Sequence, residues 1–187
     1  MAVINAGDGK GEHPTQALLD AYTIHSHLGR LSEANIVLGG DLRQGRTARS
    51  LTKLLAAYPG NHFFFVSTPG FEMADDIKEY VSDHGNMWLQ TSDVHNAVQD
   101  ADVVYWTRLQ RERLDSDETA QDSELVLDTS VLRAMSERAI IMHPLPRVGE
   151  ITTEVDADPR AQYFRQAGNG LYMRMALLDD ILRDTHE

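Results

Sequence analysis

The sequence predicts an α/β fold: a doubly wound, mostly parallel five-stranded sheet with helices on both faces. Three observations carry this expectation. Five short apolar runs alternate with segments of helical periodicity. The runs are continuous rather than alternating, the pattern of strands covered on both sides. No internal repeat or low-complexity tract interrupts the alternation.

The elements follow in order. After a polar, glycine-rich start, Ala17, Ala21, Ile24 and Leu28 recur at helical spacing and predict a helix over Pro14–Leu28, with Pro14 suited to its first turn. Asn35–Leu38 (NIVL) is a strand, broken by Gly39, Gly40 and Asp41. Ala48, Leu51, Leu54 and Leu55 predict a helix over Thr47–Tyr58, which Pro59-Gly60-Asn61 ends. The pattern repeats with strand His62–Ser67, a helix near Glu72–His84, strand Asn86–Gln90, a short helix near Val94–Ala101 and strand Asp102–Thr107. Gln110–Ser123 is acidic, polar and long for a loop in a compact domain, as functional lids are. A helix near Thr129–Met135 leads to strand Ala139–Met142. The last helix, Gly170–Arg183, carries an apolar stripe on Leu171, Met175, Leu178 and Leu182.

A length of 187 residues fits one domain, with 42% hydrophobic residues to build its core. The net charge of −12 argues against a nucleic-acid partner and gives no attraction to anionic membranes. Without cysteine there is no disulfide framework, thiolate nucleophile or thiolate metal ligand. No apolar run approaches the ~18 residues of a membrane span, and Met1–Gly11 is too polar for a secretory leader. The expectation is a soluble cytoplasmic protein that binds neither nucleic acid nor membrane. Of the 17 basic residues, 14 are arginine. Compositional bias accounts for much of this, but the placement is informative.

In open α/β sheets ligands bind beyond the carboxyl ends of the strands. Strand one runs into a segment with Arg43 and Arg46, strand four into Arg108, Arg111 and Arg113, and strand five into His143-Pro144-Leu145-Pro146-Arg147. Three basic segments on one edge of an acidic protein point to a pocket for a small anion with two acidic groups, since arginine is a planar fork for carboxylates and phosphates. The glycines at 39, 40 and 45 do not form the dinucleotide fingerprint, and strand two ends in Ser67-Thr68-Pro69 without an acidic residue for a ribose, which disfavours a nucleotide. Pro144 and Pro146 stiffen the exit from strand five and present fixed backbone carbonyls, suited to ligand N–H groups or to a plain tight turn. His13 and Gln16 share a face at the start of the first helix and could meet one ligand, or could cap the helix and face solvent. His25 and His27 do not face each other on a helix, and His62, His84, His95 and His186 carry no motif.

The segments INAGDGKGEHPTQALLDAYTI, GDLRQGRTARSL, YWTRLQRERLD, HPLPRVGEI and FRQAGNGLYMRMALL resemble, in that order, the aspartate carbamoyltransferase family. The resemblance runs over essentially the whole chain, and TRLQRER fits the aspartate branch better than the ornithine one. It implies transfer of a carbamoyl group from carbamoyl phosphate to L-aspartate, early in pyrimidine synthesis, with no metal or organic cofactor. It implies that His13 hydrogen-bonds the carbamoyl carbonyl oxygen with Gln16 beside it. Arg46 and Arg108 hold the aspartate carboxylates, and Gln110 assists. The carbonyls of the Pro144, Leu145, Pro146 turn face the amines, with the Leu145–Pro146 bond cis.

The same resemblance implies parts that these residues do not contain: a carbamoyl-phosphate-binding domain with a Ser-Thr-Arg-Thr loop, and serine and lysine groups from the adjacent subunit of a homotrimer. The expectation is a single aspartate-binding domain over residues 1–187, with interdomain helices at 14–28 and 170–183 whose apolar stripes are partly uncovered. On this reading the isolated chain does not turn over. The alternative is a non-catalytic module of the same fold that binds a dicarboxylate or serves assembly.

Overall fold

The computed structural model describes residues 3–9, 11–108 and 125–184. Five parallel strands form one sheet in the order β3-β2-β1-β4-β5: β1 Asn35–Gly39, β2 His62–Val66, β3 Met87–Thr91, β4 Val103–Trp106 and β5 Ile140–Met142. All four strands from β1 outward to β2, β4 and β5 are largely apolar runs, and alternate residues feed different cores. Ile36, Leu38, Phe65, Val103 and Tyr105 pack with α1 (Pro14–Leu28), α2 (Arg46–Ala56) and α3 (Asp75–Asp83). Val37, Val66, Val104, Trp106 and Ile141 pack on the other face with α4 (Val94–Ala97), α5 (Thr129–Ala134), the 3-10 turn Thr153–Ala157 and Tyr163 of α6 (Tyr163–Asp184). The sheet is therefore doubly wound as expected.

The predicted helix and strand limits hold to within a few residues except at the last helix. The last helix is expected from Gly170, yet α6 begins at Tyr163, ahead of both Gly168 and Gly170. The glycines sit inside the helix. A Cβ on Gly170 would lie 3.2 Å from a Leu19 methyl, so the missing side chain is what lets α6 approach α1 closely. The 3-10 turn, and the bridges Leu127–Ile151 and Ile141–Ala161 that tie it in, have no periodic signature and were not expected.

The two expected interdomain helices differ. On α1, Ala17, Ala21 and Ile24 are buried by α2, α6 and the sheet, so that stripe is already covered and only Tyr22 stands out among its large apolar side chains. On α6, Leu171, Tyr172, Met175, Leu178 and Leu182 are each half or more exposed. No helix is long and apolar enough to cross a membrane among the described residues.

Candidate active site

The order of strands places β1 and β4 side by side, with their following segments leaving in different directions. The crevice between them is where open α/β sheets bind ligands. Beyond β1 the chain turns at Gly40, whose φ is +100° and whose Cβ would lie 1.9 Å from the Thr107 carbonyl oxygen. Only glycine allows that approach. Thr107 in turn donates its N–H to the Gly39 carbonyl at 2.8 Å and its hydroxyl to the same oxygen at 3.0 Å. The two segments are thereby held together, and they bring Arg46, the first residue of α2, and Arg108 to one cleft of about 240 Å³. His13, Gln16, Pro144, Leu145 and Pro146 line the same cleft. Seven of the eight expected site residues thus converge, and the eighth, Gln110, lies outside the described residues.

The α1 end of the cleft is braced. His13 donates its backbone N–H to Ser50 Oγ of α2 at 2.9 Å, Ser50 donates to the Glu12 carboxylate, and Lys53 Nζ lies 2.5 Å from Glu12 Oε1. Burial, with the positive charges of Arg46 and Arg174, holds the His13 imidazole below its ordinary pKa, so it stands neutral near pH 7. Arg46 donates to the Gly9 carbonyl at 3.4 Å.

The proline turn hangs on His143. Its Nδ1 accepts the Leu145 N–H at 2.8 Å, which leaves the proton on Nε2, 2.7 Å from Glu150 Oε1. Glu150 Oε2 accepts the Val148 and Gly149 N–H groups at 3.0 and 2.9 Å. Burial pulls the Glu150 carboxyl upward, but the His143 bond and the backbone donors outweigh it and bring it down to about 2. The bond Leu145–Pro146 is cis, as the resemblance implies. His143 is 2% exposed with both ring nitrogens engaged, so it shapes the turn.

Beneath Gln16 lies a fully buried carboxylate, Asp20. Its Oδ1 accepts from Gln16 Nε2 at 3.0 Å and Gln166 Nε2 at 2.6 Å, and its Oδ2 accepts from Tyr105 Oη at 2.9 Å. Gln166 Oε1 accepts the His143 backbone N–H at 2.9 Å. Asp20, Tyr105, Gln166, Glu150 and the ring of His143 were not anticipated. Only Asp20 left a trace: it stands four residues after Gln16, on a helix face that is otherwise buried.

The third basic segment contributes no guanidinium to the cleft. Arg147 pairs with Asp156 at 2.5 Å and lies over the Tyr163 ring at 5.5 Å, while Arg43 reaches toward the Gly70 carbonyl. Among the described residues no three His, Asp or Glu side chains are grouped to hold a metal.

Residues 32–181 match the Asp/Orn binding domain of aspartate/ornithine carbamoyltransferase, and residues 1–26 match its carbamoyl-P binding domain. The chain belongs to the aspartate/ornithine carbamoyltransferase family. A chloroplastic aspartate carbamoyltransferase of Arabidopsis thaliana is 54% identical over 97% of this chain and 47% of its own length. One from Oryza sativa is 50% identical over 97% of this chain and 51% of its own. The aspartate transcarbamoylase of Trypanosoma cruzi, solved with aspartate and phosphate, superposes with a TM-score of 0.83 at 44% identity, over 93% of this chain and 55% of that one. The catalytic subunit of the M. jannaschii enzyme superposes at 0.89 with 36% identity, over 97% and 59%. The chain spans about half the length of the curated carbamoyltransferases it matches. The expectation of a cytoplasmic protein is overturned by the plant relatives, which are chloroplastic by name. An acidic, cysteine-free composition suits any reducing compartment and could not choose between them.

Proposed function

We propose that the chain supplies the aspartate-binding half of an aspartate carbamoyltransferase, which transfers the carbamoyl group of carbamoyl phosphate to L-aspartate and releases phosphate. The convergence of Arg46, Arg108, His13 and the proline turn on one cleft carries this reading. Two guanidinium groups suit the two carboxylates of aspartate, which the T. cruzi enzyme holds together with phosphate. Gln110 is proposed to assist them. Backbone carbonyls of Pro144 and Leu145 accept N–H from the attacking amine and from the carbamoyl group. The neutral amine adds to the carbonyl carbon, the C–N bond forms as the bond to the phosphate oxygen breaks, and the nitrogen gives up a proton to solvent or to the departing phosphate.

Negative charge grows on the carbonyl oxygen during this addition. A neutral imidazole at His13 offers an N–H donor there, and one such donor is worth roughly 3–4 kcal/mol of barrier. The phosphate contacts, and a trimeric assembly in which a neighbouring subunit lends serine and lysine groups, are proposed to come with the carbamoyl-phosphate-binding half, in the same polypeptide or in a partner chain.

Calorimetry with N-(phosphonacetyl)-L-aspartate, a bisubstrate mimic seen in the T. cruzi enzyme, tests the reading. Tight binding and N-carbamoyl-aspartate production are expected only when the carbamoyl-phosphate-binding half is joined to this chain. Joined halves that neither bind the mimic nor form product would sink the proposal. Aspartate binding without turnover would favour a dicarboxylate-binding module.

A further inference from the structure

The buried carboxylate below the cleft does not line it, forms no ion pair among the described residues, and yet receives three hydrogen bonds. We propose that Asp20 is a positioning residue for the transfer reaction: it fixes the amide orientation of Gln16 and Gln166, and thereby selects a donor substrate that carries an N–H group. The inference rests on the proposed carbamoyl transfer and assigns the substrate selectivity of that same cleft.

An ionised carboxylate can only accept, so each glutamine must face Asp20 with its Nε2, and both do, at 3.0 and 2.6 Å. For Gln166 the orientation is fixed from the other side as well, because its Oε1 accepts the His143 backbone N–H at 2.9 Å. That bond anchors the residue from which the proline turn departs. Gln16 lines the cleft, and with its Nε2 engaged below, the atom it presents to a ligand is Oε1. An amide oxygen in that place accepts from the –NH₂ of a carbamoyl group and offers nothing to a methyl or an alkoxy group of the same size. Tyr105 Oη completes the set at Oδ2, 2.9 Å away, where a hydroxyl can donate to the carboxylate or accept from a protonated Oδ2.

Burial pushes the Asp20 carboxyl up to about 7, against the pull of the Gln166, Tyr105 and Gln16 donors. Below that pH a protonated Oδ2 donates to Tyr105 Oη and Oδ1 keeps both amides, but their hold weakens with the loss of the charge. The charged and titratable groups around the network are His13 on α1, Arg46 on α2, Tyr105 on β4, Arg108 beyond β4, His143 beyond β5 and Arg174 on α6.

The test uses Asp20→Asn and Tyr105→Phe in the transferase with its carbamoyl-phosphate-binding half present. The first removes the charge that holds both amides, and should reduce by about tenfold the ratio of acetyl phosphate Ki to carbamoyl phosphate KM, acetyl phosphate being an acyl donor of like shape without N–H. It should also remove an ionisation near pH 7 from kcat/KM. The second takes one donor from the carboxylate and should move that ionisation upward. Equal loss for both acyl phosphates, or an unmoved acid limb in both variants, would overturn the proposal. If wild type makes no product, the carbamoyl transfer reading fails separately. In that case NMR of ¹³C-aspartate and ¹⁵N-glutamine side chains still decides: the Asp20 Cγ and Gln16 Nε2 signals should titrate together near pH 7, and independent titration refutes the coupling.

Discussion

Replacing Glu150 with glutamine should lower stability by about 2–3 kcal/mol near pH 7. The carboxylate accepts from the His143 ring at 2.7 Å and from two backbone N–H groups at 2.9 and 3.0 Å. Glutamine keeps one acceptor and turns an NH₂ toward donors that have no other partner, and each hydrogen bond to a charged group is worth roughly 1.5–3 kcal/mol. The fall of the carboxyl from 4.5 to about 2 leads to a similar figure. It corresponds to at most ~3 kcal/mol, and to about 2 after allowing for solvent near the group. Because the folded value is depressed, this contribution is complete above about pH 4.5 and is lost as pH falls toward 2. The difference between wild type and E150Q in urea unfolding should accordingly be full at pH 7 and shrink by more than half at about pH 3. In a domain of this size the gap at neutral pH is roughly 5–10 °C in Tm. A variant within ~0.5 kcal/mol of wild type at pH 7, or a gap that stays constant into acid, would refute the role given to Glu150.

Arg46→Ala in the joined enzyme should raise KM for aspartate by roughly 10- to 100-fold, the loss of one charge-assisted pair, and unchanged aspartate kinetics would remove Arg46 from the carboxylate site. His13→Ala should instead lower kcat by about 10²- to 10³-fold with little change in aspartate affinity, measured by product formation and calorimetry. On α6, Leu171, Met175, Leu178 and Leu182 expose apolar surface whose burial is worth on the order of 3–7 kcal/mol as an upper estimate, since each is only half or a little more exposed. The isolated chain should therefore be marginal or self-associate, and Leu171→Glu with Met175→Gln should return sedimentation to the monomer value. A monomeric chain melting sharply above ~60 °C would contradict this.

What was legible in the sequence is what repeats with a period or lies next to a breaker. The parallel sheet follows from unbroken apolar runs such as HFFFV, and the position of the cleft from the segments that follow the strand ends. The first turns of α6 were missed because their buried side chains, Tyr163 and Gln166, do not continue the apolar stripe of Leu171, Met175, Leu178 and Leu182. Arg147 misled because its partner Asp156 lies in a turn without periodicity. The polar network under the cleft joins Asp20 to Gln166 across 146 positions, and no local pattern announces a hydrogen bond of that separation. The compartment was not legible at all, since nothing in the fold or its cleft depends on it.

Side chains 103–106 of β4 are all fully buried, facing one core or the other. A one-residue slide of β4 along β1 would still match apolar with apolar, so hydrophobicity alone does not choose the alignment of these strands. Polar pairs at both ends choose it. Asp102 accepts the Asn35 N–H at 2.9 Å at one end, and Thr107 donates its hydroxyl to the Gly39 carbonyl at 3.0 Å at the other. A slide would carry Arg108 ~3.3 Å along the strand and reverse its side. Weakening both clamps should then yield a protein that is folded and stable but blind to its ligand.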